Sequence, residues 1–362
     1  MTVQLGQRSY PIHLLDGLPH DVLRDVASGQ RAGRAGMKAL LVTDSNVGPL
    51  YGAGAISALE EAGYEVLAYT LEAGEGSKSL DTISDLVDFA LDGELKRGDL
   101  VVALGGGVVG DIAGFTASIL HRGMSFLQVP TTLLAQVDSA VGGKTGVNHR
   151  TGKNLIGAFW QPVGVISSQA VLQTLPDRER RCGLAEAIKH GYIADADLVQ
   201  WCLTHAEDLR ALEPSALRRL VRRCCEIKAA VVQADERESG HRAILNFGHT
   251  LGHAYERILG FGALSHGEAV GLGMIAAIRL SAHLGLAPTE MVQGVISALR
   301  LLGLPTEPPT RIDAQDLIQA ARTDKKSEGD GVRFVVLRGL GSPEVRRLSW
   351  QEVEVGVFAG DI

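Results

Sequence analysis

Along the first half of the chain, short aliphatic runs alternate with longer stretches whose apolar positions recur every three or four residues. The runs ALLV at 39–42, VLAY at 66–69, LVVAL at 100–104, FLQV at 126–129 and VGVI at 163–166 read as strands. Helical patterns separate them, ending at Ala62, running from Ser79 to Leu91, ending at Leu120 and starting at Thr131. Residues 1–36 read as an edge hairpin (3–5 and 10–14) and a short helix. Strands spaced by single helices imply a parallel sheet covered on both faces, with ligands bound beyond the carboxyl ends of the strands. From residue 176 the pattern turns helical, until strand-like runs at 333–337 and 345–348 close the chain. The predicted organisation is an α/β domain with a Rossmann-like parallel sheet over 1–175 and a mainly helical domain over 176–362. No linker separates them, so the expectation is two closely apposed domains with a cleft between.

At Gly105-Gly106-Gly107 the central run breaks and a helix-compatible segment follows. Gly105, Gly107 and Gly110 have the G-x-G-x-x-G spacing, in which bare backbone lets a diphosphate approach the amides at a helix start. Packing alone also produces such turns. The other loops after strands hold Asp44 and Asn46, Glu75 and Lys78, and Thr131 and Thr132. Each fits a cap or turn by itself; together they fall where a dinucleotide would lie.

In the second half, Glu186 and Lys189 share one helix face, which fits a surface ion pair or a functional pair. Asn246, His249 and His253 form one polar stripe, and two histidines four apart either share a metal or are simply solvated. Ser265 to Glu268 has capping-box spacing, which fixes His266 in the first turn of a helix. One carboxylate with histidines is the ligand set of a catalytic zinc with an open position. Lys228 lies on the apolar stripe of Leu217, Val221, Cys224 and Val231, where it either snorkels or serves a buried anion. Arg218, Arg219, Arg222 and Arg223 read as a solvated face.

The chain has 362 residues, 45% hydrophobic and 21% charged, the composition of a soluble globular protein, and its net charge of -7 argues against nucleic-acid binding. The amino terminus lacks the apolar core of a signal peptide and no run is long enough to span a bilayer, so a cytoplasmic location is expected. The four cysteines show no C-x-x-C spacing. Against this acidic background Arg122, Lys144, Lys153, Lys189, Arg242, Lys325 and Lys326 lie in or beside loops bordering the expected cleft. That concentration suits a substrate with phosphate and carboxylate groups.

The residues resemble the 3-dehydroquinate synthase family, within the sugar phosphate cyclases, over nearly the whole chain. The blocks are EGSKS at 75–79, GGGVVGDIAGF at 105–115, RG at 122, VPTTLLAQVDSAVGGKTGVN at 129–148, GKNLIGAFWQP at 152–162, TLPDRE at 174–179, GLAEAIKHG at 183–191, ILNFGHTLGHAYE at 244–256 and HGEAV at 266–270. The resemblance implies a lyase of the shikimate pathway that converts 3-deoxy-D-arabino-heptulosonate 7-phosphate to 3-dehydroquinate and phosphate, using NAD and a divalent metal, zinc or cobalt. It implies a homodimer.

Carried over position by position, the resemblance makes Glu186, His249 and His266 the metal ligands, with His253 a catalytic neighbour. NAD would contact Asp44, Asn46, Glu75, Lys78, Gly106, Gly107, Val108, Gly110, Asp111, Thr131, Thr132, Thr174, Leu175 and Glu179. Lys144 and Lys153 would lie near the nicotinamide or the substrate. Arg122, Asn154, Lys189, Lys228, Arg242, Asn246 and Lys326 would hold substrate, with Asp138 near the reacting carbons. One departure is Ser168, where the family commonly has an aspartate. The rival expectations are a cyclase for sedoheptulose 7-phosphate or glucose 6-phosphate, and an iron-type alcohol dehydrogenase of similar fold.

Overall fold

The computed structural model describes residues 1–31, 36–260, 262–324 and 331–358. Lys325 and Lys326 therefore lie outside the described residues. Two compact units are present: Met1–Leu175 with Lys228–Glu236, and Pro176–Ile227 with Arg237–Ile362.

The first unit contains β1 (Thr2–Val3), β2 (Tyr10–Leu15), α1 (His20–Arg31), β3 (Lys38–Asp44), α2 (Ala53–Glu61), β4 (Glu65–Leu71), α3 (Leu80–Asp92), β5 (Leu100–Gly105), α4 (Gly107–Ile119), β6 (Ser125–Pro130), β7 (Lys144–His149), β8 (Gly152–Phe159) and β9 (Gly164–Ser168). Seven strands form one sheet in the order β1-β2-β9-β6-β5-β3-β4, parallel except for β1 at the edge. All six residues of β5 are buried, which explains a run without polar alternation: a central parallel strand is covered on both faces. Along β3 the faces alternate. Leu40 and Val42 pack with Ile83, Leu86 and Ile112, whereas Ala39 and Leu41 pack with Leu23, Ala27, Ala55 and Leu59.

From β3 the chain passes out to β4 and returns to β5 on the opposite side of β3. The strand order thus reverses between β3 and β5. Such a switch point opens a crevice beyond the carboxyl ends of the two strands. Asp44 ends β3 and the glycine turn follows β5, so both flank it.

Two expectations in this unit need correction. The helix from Thr131 ends by Ser139, and Lys144 begins a strand; Lys153 and Asn154 lie on its antiparallel partner and not in a loop. Gly146 pairs with Gly157 inside that ribbon, and its second strand buries no residue fully, so no apolar alternation announces it. In addition, Lys228–Glu236 groups with the first unit although it lies far beyond residue 175.

The remaining elements are α5 (Asp177–Ala194), α6 (Ala196–Thr204), α7 (Ala206–Arg210), α8 (Pro214–Ala234), a 3-10 turn (His241–Asn246), α9 (His249–Leu259), α10 (His266–His283), α11 (Glu290–Leu301), α12 (Ala314–Asp324), an antiparallel ribbon of β10 (Gly331–Leu337) and β11 (Pro343–Ser349), and α13 (Trp350–Phe358). The hydrophobic pattern did not predict α13 after the last strand. Helix α10 is buried almost all round, which marks it as the core of the second unit. At Gly273 a Cβ would come 1.9 Å from the carbonyl oxygen of Gly248, so only glycine lets α10 approach the start of α9. No described helix is long and apolar enough to cross a membrane. All four cysteines are buried thiols.

Candidate active site

In the first unit, α4 starts from Gly106, and among the described residues no side chain caps its first amides. An uncapped helix start presents N–H donors and a partial positive charge to an anion. Gly107 and Val108 occupy that first turn, and Gly110 lies a turn further on. A Cβ at Gly110 would come 2.8 Å from Gln128 Oε1, so this glycine serves helix–strand packing. The Thr131 amide donates to the Gly105 carbonyl at 2.9 Å, and Thr132 Oγ1 accepts from the Ala135 amide at 3.1 Å. Asp44 Oδ1 accepts from the amides of Asn46 and Val47, both at 2.9 Å, so one of its oxygens is a turn cap.

A polar network joins residues from four segments. Lys78 Nζ contacts Asp111 Oδ2 at 2.5 Å and Asn154 Oδ1 at 2.5 Å. Asn148 donates through Nδ2 to Glu75 Oε1 at 2.7 Å and through its amide to the Lys78 carbonyl at 2.8 Å, while its Oδ1 accepts from the Asn154 amide at 2.9 Å. Burial pushes the Asp111 carboxyl up from its ordinary value, and the Lys78 charge opposes that.

Other expected contacts are more dispersed. The Thr174 hydroxyl meets Tyr51 Oη at 2.7 Å, Leu175 is buried, and Glu179 is exposed at the start of α5. Lys144 is exposed and Lys153 half-buried on the ribbon. Arg122 is exposed with a left-handed φ of 61°. Ser168 Oγ donates to the Gly17 carbonyl at 2.7 Å, so the serine at this departure from the family pattern ties down the chain after β2.

Lys228 resolves the question its position raised. It is buried to 6% exposure, and Nζ donates to the Asp138 carbonyl at 2.6 Å and to the Asp138 carboxylate.

In the second unit, Glu186 and Lys189 form an ion pair, but each side chain is only 1% exposed, so this is no surface pair. Glu186 Oε1 lies 3.5 Å from His249 Nε2 and 3.4 Å from His266 Nε2. Ligand atoms bound at ~2.0–2.1 Å to a tetrahedral ion stand about 3.3 Å apart. The observed separations fit one ion held by a carboxylate and two imidazoles. His253 stands beside them, its ring centroid 5.6 Å from that of His249 and 5.9 Å from that of His266. Arg242 is 1% exposed, and Asn246 Nδ2 donates to Glu238 Oε1 at 2.9 Å.

Electrostatics divides the two imidazoles. Burial holds His249 well below its ordinary pKa, with Lys189 adding to the effect against Glu186, so its ring is neutral at pH 7. Burial also disfavours charge on His266, but hydrogen bonding and charge from Glu186 and Glu256 outweigh it and raise the pKa to about 9. Cys182, whose Sγ accepts from the Gly267 amide at 3.1 Å, has its thiol pushed up by burial to about 12 and remains neutral.

The capping box at Ser265 is present: its hydroxyl accepts from the Glu268 amide at 3.3 Å, and Glu268 Oε2 accepts from the Ser265 amide at 2.7 Å. Arg178 braces it, with Nη2 2.8 Å from Glu268 Oε2 and donors on the carbonyls of Gly262 and Ala263. No local pattern in the sequence assigns a role to Arg178, Asn148, Glu238 or Glu256. Their only signal was membership of, or closeness to, the quoted blocks.

Comparison with known proteins agrees with this arrangement. The pattern described as 3-dehydroquinate synthase N-terminal matches residues 68–182, and that described as 3-dehydroquinate synthase C-terminal matches 183–327. A 3-dehydroquinate synthase of Desulforamulus reducens is 47% identical over 95% of this chain and 94% of its own. Among solved structures, a 2-deoxy-scyllo-inosose synthase complexed with carbaglucose-6-phosphate, NAD+ and Co2+ superposes with a TM-score of 0.89 at 25% identity, covering 99% of both chains. The 2-epi-5-epi-valiolone synthase of Streptomyces hygroscopicus subsp. jinggangensis, with NAD+ and Zn2+ bound, gives 0.86 at 28% identity over 98% of both chains. The chain belongs to the 3-dehydroquinate synthase family.

Proposed function

We propose that the protein is a 3-dehydroquinate synthase, which converts 3-deoxy-D-arabino-heptulosonate 7-phosphate to 3-dehydroquinate and phosphate. The observation that carries this reading is the convergence of Glu186, His249 and His266 at 3.4–3.5 Å, beside a buried lysine, in a chain with this family's sequence. A carboxylate and two imidazoles suit a divalent zinc-type ion, and the uncapped start of α4 beyond β5 suits the diphosphate of NAD. NAD held at that helix start would supply a hydride acceptor and donor for the fifth carbon of the substrate, and an ion held by Glu186, His249 and His266 would supply a Lewis acid for the oxygen on that carbon.

Eliminating phosphate needs an acidic proton on the neighbouring carbon, and an ordinary C–H beside an alcohol is too weakly acidic. Transient oxidation of that alcohol supplies the acidity. The residues of the chain then have separable tasks. Glu186, His249 and His266 hold the ion. Lys189, Arg242 and Asn246 offer donors to the substrate, and the burial of Arg242 favours a carboxylate partner. Lys228, Asn154, Arg122 and Lys326 serve the phosphate and hydroxyl groups, Asp138 adjoins the reacting carbons, and His253 is placed to move a proton. In the first unit, Asp44, Asn46, Glu75, Lys78, the glycine turn, Asp111, Thr131, Thr132 and Thr174 to Glu179 line the NAD site, with Lys144 and Lys153 toward the nicotinamide or the substrate.

The reading includes a cytoplasmic homodimer, which light scattering of the purified protein tests for assembly state. The decisive assay supplies the heptulosonate phosphate with sub-stoichiometric NAD and follows phosphate release and NADH absorbance. Many phosphates per NAD without lasting NADH is the expected outcome; one NADH per product would make the protein a dehydrogenase.

A further inference from the structure

His266 stands between two buried carboxylates. Its Nε2 faces Glu186 Oε1 at 3.4 Å, and its Nδ1 faces Glu256 Oε1 at 3.5 Å. Glu256 is only 7% exposed, a placement that costs free energy for a carboxylate unless it serves a partner. It lies on α9, three residues after His253 and seven after His249, so one helix delivers all three side chains to the same cluster. The other end of the contact is equally fixed, because the capping box and Arg178 hold His266 in the first turn of α10.

An imidazole that binds an ion through Nε2 must carry its proton on Nδ1. A carboxylate facing Nδ1 selects that tautomer and sets the plane of the ring. We propose that Glu256 is a positioning residue for the metal centre: it accepts the Nδ1–H of His266 and so presents the Nε2 lone pair to the ion held with Glu186 and His249. This inference rests on the metal-ligand reading given above and deepens it. A competing arrangement uses the same atoms, since His253, Glu256 and His266 also bring one ligand atom each within 4.8 Å of one another. Glu186 is the better centre because two imidazoles approach its one oxygen at tetrahedral-edge separation.

The test measures Zn2+ dissociation constants by competition with a chromophoric chelator, on the metal-free full-length protein and on His249→Ala, Glu256→Ala, Glu256→Gln and Glu256→Met. Melting of each metal-free protein reports folding separately. The expected result is that His249→Ala loses tight binding, Glu256→Ala weakens it by about 10–100-fold, and Glu256→Gln, which keeps an acceptor oxygen, recovers most of the loss. Glu256→Met fills the volume without an acceptor and behaves as the alanine variant, which covers the case in which alanine unfolds the site. Wild-type affinity in the alanine or methionine variant overturns the positioning role, as does a glutamine variant no better than alanine. If His249→Ala keeps the ion while Glu256→Ala loses it, the ion belongs to His253, Glu256 and His266 and the proposed ligand set is wrong. If His249→Ala and Glu256→Ala both bind as wild type, the ligand reading and the positioning role fail together, whereas tight binding lost in His249→Ala but kept in Glu256→Ala overturns the positioning role alone.

Discussion

Lys228 donates through Nζ to both the backbone carbonyl and the carboxylate of Asp138. The cation that its place on an apolar stripe left between snorkelling and serving an anion, and that the family resemblance gives to the substrate, is thus balanced by an acid in the same unit. A buried charge left by removal of its partner costs about 3–5 kcal/mol, more than the pair itself contributes. Lys228→Met and Asp138→Leu should each lower stability by about that amount, and the double variant should recover much of it. Urea denaturation of the four proteins measures the coupling. Additive losses would mean that the two groups do not depend on each other, whereas turnover should be lost in all three variants.

Asn148 connects Glu75, Lys78 and Asn154 with three hydrogen bonds. Asn148→Ala removes the side-chain bonds to Glu75 and from the Asn154 amide, at about 1 kcal/mol each. NAD binding followed by calorimetry should weaken by up to about 30-fold, the equivalent of about 2 kcal/mol at 1.4 kcal/mol per factor of ten. Unchanged affinity would separate the network from the nucleotide site.

The contrast between legible and illegible parts of this chain is physical. The run at 100–104 is apolar throughout and stops at three glycines, so both the buried strand and the turn could be read directly. The ribbon of β7 and β8 could not, because paired glycines and exposed polar positions leave neither period 2 nor period 3.6 to detect. Within one segment, spacing leaves His249 and His253 as either a metal pair or two solvated histidines. The structure instead brings Glu186, His249 and His266 to one point from three helices, a relation no local period encodes. Only the resemblance to a family indicated that set. The clamp of Arg178 on Glu268 is equally long-range and had no sequence signal of its own.

Metal removal should abolish turnover, and Zn2+ or Co2+ should restore it. In the metal-free protein His266 has a pKa near 9, raised above its ordinary value, so its contribution to stability is full below pH 6.5 and is lost as pH rises through about 9. His249, shifted the other way by burial, contributes above pH 6.5 and loses that contribution as pH falls. Melting of the metal-free protein should therefore be highest around neutral pH. At pH 7 the ion must displace the proton of His266, so uptake should release close to one proton, which calorimetry in buffers of different ionisation enthalpy measures. No proton release would mean that His266 already offers a bare nitrogen.

Arg178 is tied to the proposed metal centre through the cap of α10. Its guanidinium binds Glu268 and the carbonyls of Gly262 and Ala263, and Glu268 completes the capping box that fixes His266 at the first helical position. The arginine side chain is 44% exposed, so the pair alone contributes little; the cap is the larger effect, at about 1 kcal/mol. Arg178→Ala should therefore lower stability by only about 1 kcal/mol while weakening Zn2+ binding, because the ligand loses its fixed angle of approach. Glu268→Gln keeps an acceptor for both the Ser265 amide and Arg178 and should be milder than Glu268→Ala. A stability loss in Glu268→Ala without any change in metal affinity would show that the first turn of α10 is held by its packing on α5 and α9 instead.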